Sequence, residues 1–172
     1  DIYEPEIATS FEVGYKAMLM DRRLRLNVTA FRNEFTDKQE SSVQVDPDTK
    51  TVASVFDNVA DATYQGVELE TEFVVSQYLK VFLNYGYLDA EYDSFETDIN
   101  ASDGVTIIED ASFLTPRNAP EFTMGLGGTL SFQVGAGDLE IYAKYSKIDE
   151  LETNLLNTTN TQVDARKDVT AS

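Results

Sequence analysis

The sequence contains no cysteine, tryptophan or histidine among its 172 residues. Without cysteine, the chain cannot form a disulfide framework or a thiolate metal site. Without histidine or cysteine, it cannot assemble Ser-His or Cys-His nucleophilic catalysis from its own residues. Carboxylates remain as acid–base groups, but nothing singles out a pair at the separation that a glycosidase needs. A glycosidase is therefore only a distant third possibility for the function of the chain.

Basic residues are scarce, with 13 lysines and arginines against 31 aspartates and glutamates, and the formal net charge is −18. Affinity for nucleic acid comes mainly from phosphates neutralised by Lys and Arg. Nucleic acid is therefore not expected as a partner.

A long hydrophobic run is missing as well, since no window approaches the roughly 18 apolar residues of a membrane-spanning helix. This excludes a transmembrane helix and leaves a transmembrane β-barrel open, because barrel strands need only short alternating segments. The opening residues "DIYEPEIATS" have neither the basic nor the apolar region of a signal peptide. The chain is thus interpreted as a mature chain or an internal piece of one.

Apolar and polar residues alternate along most of the chain, which predicts strands with two unlike faces. Phe31 and Phe35 break the phase of the second strand and predict a bulge or a strand end there. Gly66 predicts a bend or the close approach of another segment. About six antiparallel strands are predicted, with a seventh starting near Asp164. The six contain "SFEVGYKAML", "RLRLNVTA", "VELETEFVV", "LKVFLNYGY", "FTMGLGGTLSFQV" and "LEIYAKYS".

The predicted connections alternate in length. Short turns are expected near Asp21, near Gln77 and at 135–138, and longer polar segments at 40–52, 93–119 and 149–164. Tight turns at one end and long loops at the other are the layout of outer-membrane barrels.

Two architectures fit this alternation. A soluble β-sandwich packs the apolar faces of two sheets together, whereas a transmembrane barrel turns them to lipid. The charges on the polar faces balance, and this suits a narrow, wet interior in which opposite charges on neighbouring strands pair. These charged residues are Glu12, Glu68, Glu70, Glu72 and Glu140 with Lys16, Arg23, Arg25, Lys80 and Lys144.

The order of several short motifs is more specific. The stretches "PEIATSFEVGYK", "RLRLNVTAFRNEFTDKQ", "DNVADATYQGVELETEF", "LKVFLNYGYLDAEYDSF" and "TPRNAPEFTMGLG" strongly resemble the barrel of TonB-dependent outer-membrane receptors. The resemblance covers nearly the whole chain. Its motifs fall at Pro5-Glu6, Glu12-Gly14-Lys16, Gln39, Asn58-Ala62, Gly66-Glu68-Glu70, Tyr87-Ala90-Tyr92 and Ala119-Pro120.

This resemblance implies an all-β fold, an antiparallel up-and-down transmembrane β-barrel segment. Its six to seven strands would belong to a barrel of about 22 strands. Residues 1–172 would form a partial TonB-dependent receptor β-barrel domain, from the C-terminal half of the barrel, without the plug and the remaining strands.

The resemblance also implies transport across the cell outer membrane of a Gram-negative bacterium, by a protein that is not an enzyme and has no cofactor. The nutrient would be a ferric siderophore, a cobalamin-like cofactor or an oligosaccharide, with energy from the TonB complex. Expected partners are outer-membrane lipid, TonB through the missing plug domain, and a small-molecule or metal-chelate ligand. The alternative is a soluble, secreted β-sandwich that serves as an adhesin domain or filament subunit.

In the barrel interpretation, one face of the sheet contacts lipid and the other faces the water-filled lumen. The residues expected to face lipid are Phe11, Val13, Leu24, Leu26, Val67, Leu69, Leu83, Tyr85, Leu126, Leu130 and Ile141. Those expected to face the lumen are Glu12, Lys16, Arg25, Glu68, Glu70, Glu72, Lys80, Glu140 and Lys144.

The longest predicted loop, 89–121, holds nine acidic residues and one arginine. Within it Asp98, Asn100, Ser102 and Glu109 have the spacing of oxygen ligands in an EF-hand calcium loop. Asp103 stands where the sharp turn of such a loop requires glycine, so a true EF-hand is not expected. A weak calcium site that orders the loop is the functional hypothesis, and a solvated extracellular loop is the alternative.

Overall fold

The fold is built from β-strands in a computed structural model that describes residues 4–46, 48–99, 107–156, 162–163 and 166–171. These ranges contain no helix, and thus none that is long and apolar enough to cross a membrane. The strands are β1 (Ile7–Leu19), β2 (Leu24–Val45), β3 (Val52–Val74), β4 (Leu79–Thr97), β5 (Glu109–Asp110), β6 (Phe122–Val134), β7 (Gly137–Ile148), β8 (Leu151–Glu152), β9 (Gln162–Val163) and β10 (Arg166–Ala171).

The seven longer strands form one antiparallel sheet in the order β1-β2-β3-β4-β6-β7-β10. Each strand pairs with the next long strand along the chain, so the sheet is an up-and-down meander. β5 pairs with β4, and β8 with β9. The predicted all-β, antiparallel fold is confirmed, and so is the seventh strand. The β-sandwich alternative is wrong for the described residues, because the long strands share one sheet instead of packing two together.

One end of the sheet, called here the turn end, carries tight connections, as predicted. Met20, Asp21 and Arg22 have φ angles of 54°, 54° and 67°, and Gly135 has a φ of 62°. The prediction for Arg23 is wrong. It lies in the first turn and not on the polar face of a strand, and its Nε donates to the Val74 carbonyl oxygen at 2.9 Å.

The opposite end, called here the loop end, differs from the prediction. β2 continues to Val45 and β3 begins at Val52, so most of the predicted loop at 40–52 is strand. Phe31 and Phe35 do not end β2, because the ladder continues past both with register shifts between Phe35 and Gln39. The backbone pairing absorbs this irregularity as a bulge, which keeps the hairpin intact.

The middle strands are much longer than a membrane crossing requires. β2 has 22 residues and β3 has 23, whereas about 9–11 residues cross a bilayer. The buried apolar core of the described residues lies at the loop end, outside the part of the strands that is needed to cross a bilayer. It contains Ala60, Ala62, Tyr92, Phe95, Ala111, Leu114 and Leu155.

Candidate functional site

The strand register sorts the side chains onto two faces. Directly paired residues of an antiparallel ladder share a face, so each row of pairs can be followed across the sheet. One such row runs from Tyr15 through Val28, Leu69 and Tyr85 to Met124. Every residue expected to face lipid lies on this apolar face: Phe11, Val13, Leu24, Leu26, Val67, Leu69, Leu83, Tyr85, Leu126, Leu130 and Ile141.

The apolar face is open in the described part of the chain. Val13 is 78% exposed, Phe11 64% and Leu126 50%. Large apolar side chains exposed across several adjacent strands form a patch that water solvates poorly. The face is therefore suited to a hydrocarbon environment, although its contact with lipid stays a prediction.

The opposite, polar face carries the charged residues that the sequence assigned to a lumen. Glu12, Lys16, Arg25, Glu68, Glu70, Glu72, Lys80, Glu140 and Lys144 all lie on it. Arg25 stands directly opposite Glu72, and the Asn27 Nδ2 donates to Glu70 Oε2 at 3.2 Å. Among the described residues, the contact ion pairs all lie nearer the loop end. Arg25 and Glu72 thus form one pair of opposite charges in direct register, and assignment of the face to a lumen stays a prediction.

Two phenylalanines lie over glycines on the polar face. Phe31 is paired with Gly66, and Phe82 with Gly127. A Cβ on Gly66 would stand 2.1 Å from the Tyr87 carbonyl oxygen and 2.9 Å from Phe31 Cζ. The close approach predicted at Gly66 is therefore present. The aromatic rings occupy the space that the missing side chains leave.

A buried carboxylate marks the loop end of the same face. Glu40 is 4% exposed, and its carboxylate accepts hydrogen bonds from Arg117 Nη2 at 2.7 Å and from the Tyr92 hydroxyl at 3.2 Å. The Lys38 ammonium also pairs with it. Burial alone would raise the pKa of Glu40, but hydrogen bonds and charge from Lys38 and Arg117 outweigh burial and lower it below its ordinary value. Glu40 is thus ionised at neutral pH.

The loop that contains Arg117 lies against the loop end of the sheet, which is called here the wall. Ala111 N–H donates to the Phe95 carbonyl oxygen at 2.7 Å, and Asn118 N–H donates to the Glu152 carbonyl oxygen at 2.8 Å. We call residues 107–121 and 149–156 the inner cap. The cap lies on the polar side, because the register places Tyr92, which bonds Glu40, on the polar face with Ala62 and Phe35.

The sequence did not reveal this network. Glu40 and Arg117 are 77 residues apart. Arg117 lies in the quoted stretch "TPRNAPEFTMGLG", but the motif position in that stretch is Ala119-Pro120, and Glu40 lies in none of the quoted stretches. Only the folded positions of β2 and the loop after β5 bring them together. A buried carboxylate inside a segment predicted to be a loop had no signal in the alternation of residues.

Only two of the four residues of the candidate calcium site, Asp98 and Glu109, lie within the described residues. Asn100 and Ser102 lie outside the described residues. Asp98 is fully buried, and its carboxylate accepts a hydrogen bond from the Ile107 N–H at 3.2 Å. Within the described residues, no three His, Cys, Asp or Glu side chains are grouped to hold a metal ion. Calcium binding by Asp98 and Glu109 with those two residues stays a prediction.

Comparisons with known proteins agree with this geometry. The family model for TonB dependent receptor-like β-barrels matches residues 2–170. A curated relative, the probable TonB-dependent siderophore receptor PiuA of Acinetobacter baumannii, is 28% identical. The match includes 76% of this chain and 18% of that protein.

Two crystal structures have a similar fold. The ferric yersiniabactin uptake receptor FyuA of Yersinia pestis matches 96% of this chain with a TM-score of 0.72 and 14% identity. The siderophore receptor PiuA of Acinetobacter baumannii matches 99% with a TM-score of 0.71 and 24% identity. This chain covers 22% of each of those chains, so it spans about a fifth of the length of its relatives.

Proposed function

The chain belongs to the TonB-dependent receptor family, in which it matches the β-barrel, and from that premise we propose that it serves in the uptake of a ferric siderophore across the outer membrane of a Gram-negative bacterium. The observation that carries this proposal is the register, which places an exposed apolar face opposite a charged face over six long strands, β1 to β4, β6 and β7. Such a sheet suits a wall between lipid and a wet lumen. The family is one of transport receptors, and no chemistry is proposed for the chain.

The choice of ligand is supported by the relatives. The names of PiuA and FyuA describe a siderophore receptor and a ferric yersiniabactin uptake receptor. A ferric siderophore is therefore proposed ahead of a cobalamin-like cofactor or an oligosaccharide. Residues 1–172 would supply part of the barrel wall, and the proposed TonB partner would act through a plug domain elsewhere in the receptor.

The test uses the full-length receptor in a Gram-negative host that lacks its own siderophore receptors. Uptake of radioactive iron is measured with a panel of ferric siderophores, in strains with and without TonB, beside labelled cyanocobalamin and maltodextrin. We expect TonB-dependent uptake of at least one ferric siderophore. Uptake of cobalamin or maltodextrin alone would replace the proposed ligand class, and uptake that persists without TonB would remove the proposed energy source.

A further inference from the structure

The inner cap consists of two loops that are joined to each other and to the wall. Ala111 and Leu114 of the first loop and Leu155 of the second are buried in one apolar cluster with Phe95 of β4. The hydrogen bond from Asn118 to Glu152 links the two loops directly. Because both loops share one core, opening either loop exposes apolar surface of the other.

Glu40 connects this cap to β2. Its carboxylate is held from the wall side by Lys38 and Tyr92, and from the cap side by Arg117. The Glu40 side chain is 5% exposed, whereas that of Arg117 is 33% exposed. Breaking a buried pair by removal of one partner is strongly destabilising, because the remaining charge loses its compensation.

We propose that Glu40 acts as a latch, meaning that its contact with Arg117 holds the two loops of the inner cap together over the polar face. Loss of this contact would release both loops together and leave the strands in place. The sheet does not depend on this contact, because its ladders run through β2, β3 and β4 independently of the cap. With the latch closed, Tyr92 and Phe95 are covered, and the surface at this end of the polar face is the cap itself. If that face lines a lumen, as the proposed function requires, the latch sets the width of the entrance on this side.

The experiment measures thiol accessibility in the full-length receptor in outer-membrane vesicles. This chain has no cysteine, so single reporters are placed in it after any cysteines elsewhere in the receptor are replaced. Ala111→Cys and Leu155→Cys report on the two loops, at positions 0% and 6% exposed, and Phe113→Cys, at 71%, reports on an exposed position of the cap. The rate of modification by a charged maleimide is compared between native Glu40 and Glu40→Gln. We expect the rate at both buried reporters to rise by about tenfold or more in Glu40→Gln, and the rate at Phe113→Cys to stay within about twofold.

A matched control separates the latch from ion pairs in general. Arg32→Gln removes a pair with Glu34 in which both side chains are about half exposed (50% and 46%), and it should leave every reporter unchanged. Arg117→Gln should act as Glu40→Gln does, and Arg117→Lys should act less strongly because it keeps the charge. Heat-modified mobility on gels establishes that each variant retains a folded barrel.

The outcomes are distinct. A parallel rise at both buried reporters with an intact barrel supports the latch. No rise in either the Glu40 or the Arg117 variants overturns it, and a rise at Ala111→Cys alone overturns the joint cap. Transport plays no part in the readout, so a wrong ligand in the proposed function would leave this result unchanged.

Discussion

At the scale of single residues, the two faces of β3 are expected to differ in whether they tolerate a charged side chain. Leu69 lies on the apolar face between Val28 and Tyr85, and Glu70 lies on the polar face between Asn27 and Asn84. An arginine on a lipid-facing position costs about 2–4 kcal/mol near the bilayer midplane. We expect Leu69→Arg, and likewise Leu83→Arg, to reduce the amount of folded receptor in the outer membrane, whereas Glu70→Arg is tolerated.

Heat-modified mobility on gels measures this folded fraction. Equal tolerance of all three substitutions would contradict the lipid assignment. The sequence alone sufficed to place these residues, because a period of two assigns each side chain to a face before any contact is known.

The latch carboxylate predicts a dependence on pH. The pKa of Glu40 is lower in the folded protein than its ordinary value of 4.5, so Glu40 stabilises the cap fully above that ordinary value. This stabilisation is lost as the pH falls through the lowered pKa. Lys38 and Arg117 are the cations that face Glu40. Tyr64 and Tyr92 also lie near it, and burial is the chief reason that their pKa values are raised.

Hydrogen exchange of the Ala111 amide checks this, since that amide bonds to Phe95 across the junction of cap and wall. After correction for intrinsic exchange, protection should be constant from neutral pH to about pH 5 and fall in more acidic solution. In Glu40→Gln the protection should be low at every pH. Protection that increases on acidification would contradict the sign of the linkage.

At the scale of elements, glycines decide how closely β2, β3 and β4 approach. A Cβ on Gly66 would meet the Tyr87 carbonyl oxygen at 2.1 Å, and backbone cannot move aside as a flexible side chain can. Gly137, where an added Cβ meets nothing within 4 Å, is the matched control. We expect Gly66→Ala to lower the free energy of unfolding by about 1–3 kcal/mol, and Gly137→Ala to change it little.

Urea unfolding of the full-length receptor in detergent measures both variants. Removal of the ring in Gly66→Ala/Phe31→Ala should not restore stability, because the contact with the backbone oxygen remains. Full restoration would mean that the ring, and not the approach of β4, requires the glycine.

The ends of the elements show where sequence reasoning stops. The turns at the turn end were predictable, because polar and glycine-containing breaks interrupt a regular alternation there. At the loop end the bulge after Phe35 breaks the alternation, and "ESSVQV" continues as strand without two clearly different faces. Where a strand leaves the apolar layer, neither face is required to be apolar, so the pattern that identifies strands disappears. The inner cap could not be predicted for the same reason, since its contacts join distant segments.

At the scale of the whole molecule, the isolated 172-residue chain is expected to associate in water. Among the described strands, β1 and β10 are the outer ones of the sheet, and each pairs with another strand on one side only. Its apolar face carries exposed side chains from β1 to β7, among them Val13, Leu126 and Ile141. Unpaired edges favour pairing with other chains, and an apolar face of this extent favours stacking.

Light scattering of the refolded 172-residue chain should therefore detect large particles without detergent and smaller, uniform particles in detergent micelles. Substitution of Val13 and Phe11 by threonine at the β1 edge should reduce the association only partly, because the rest of the face remains. A stable, detergent-free monomer of the unaltered chain would mean that another element covers the apolar face in water, and the barrel-wall interpretation would then fail.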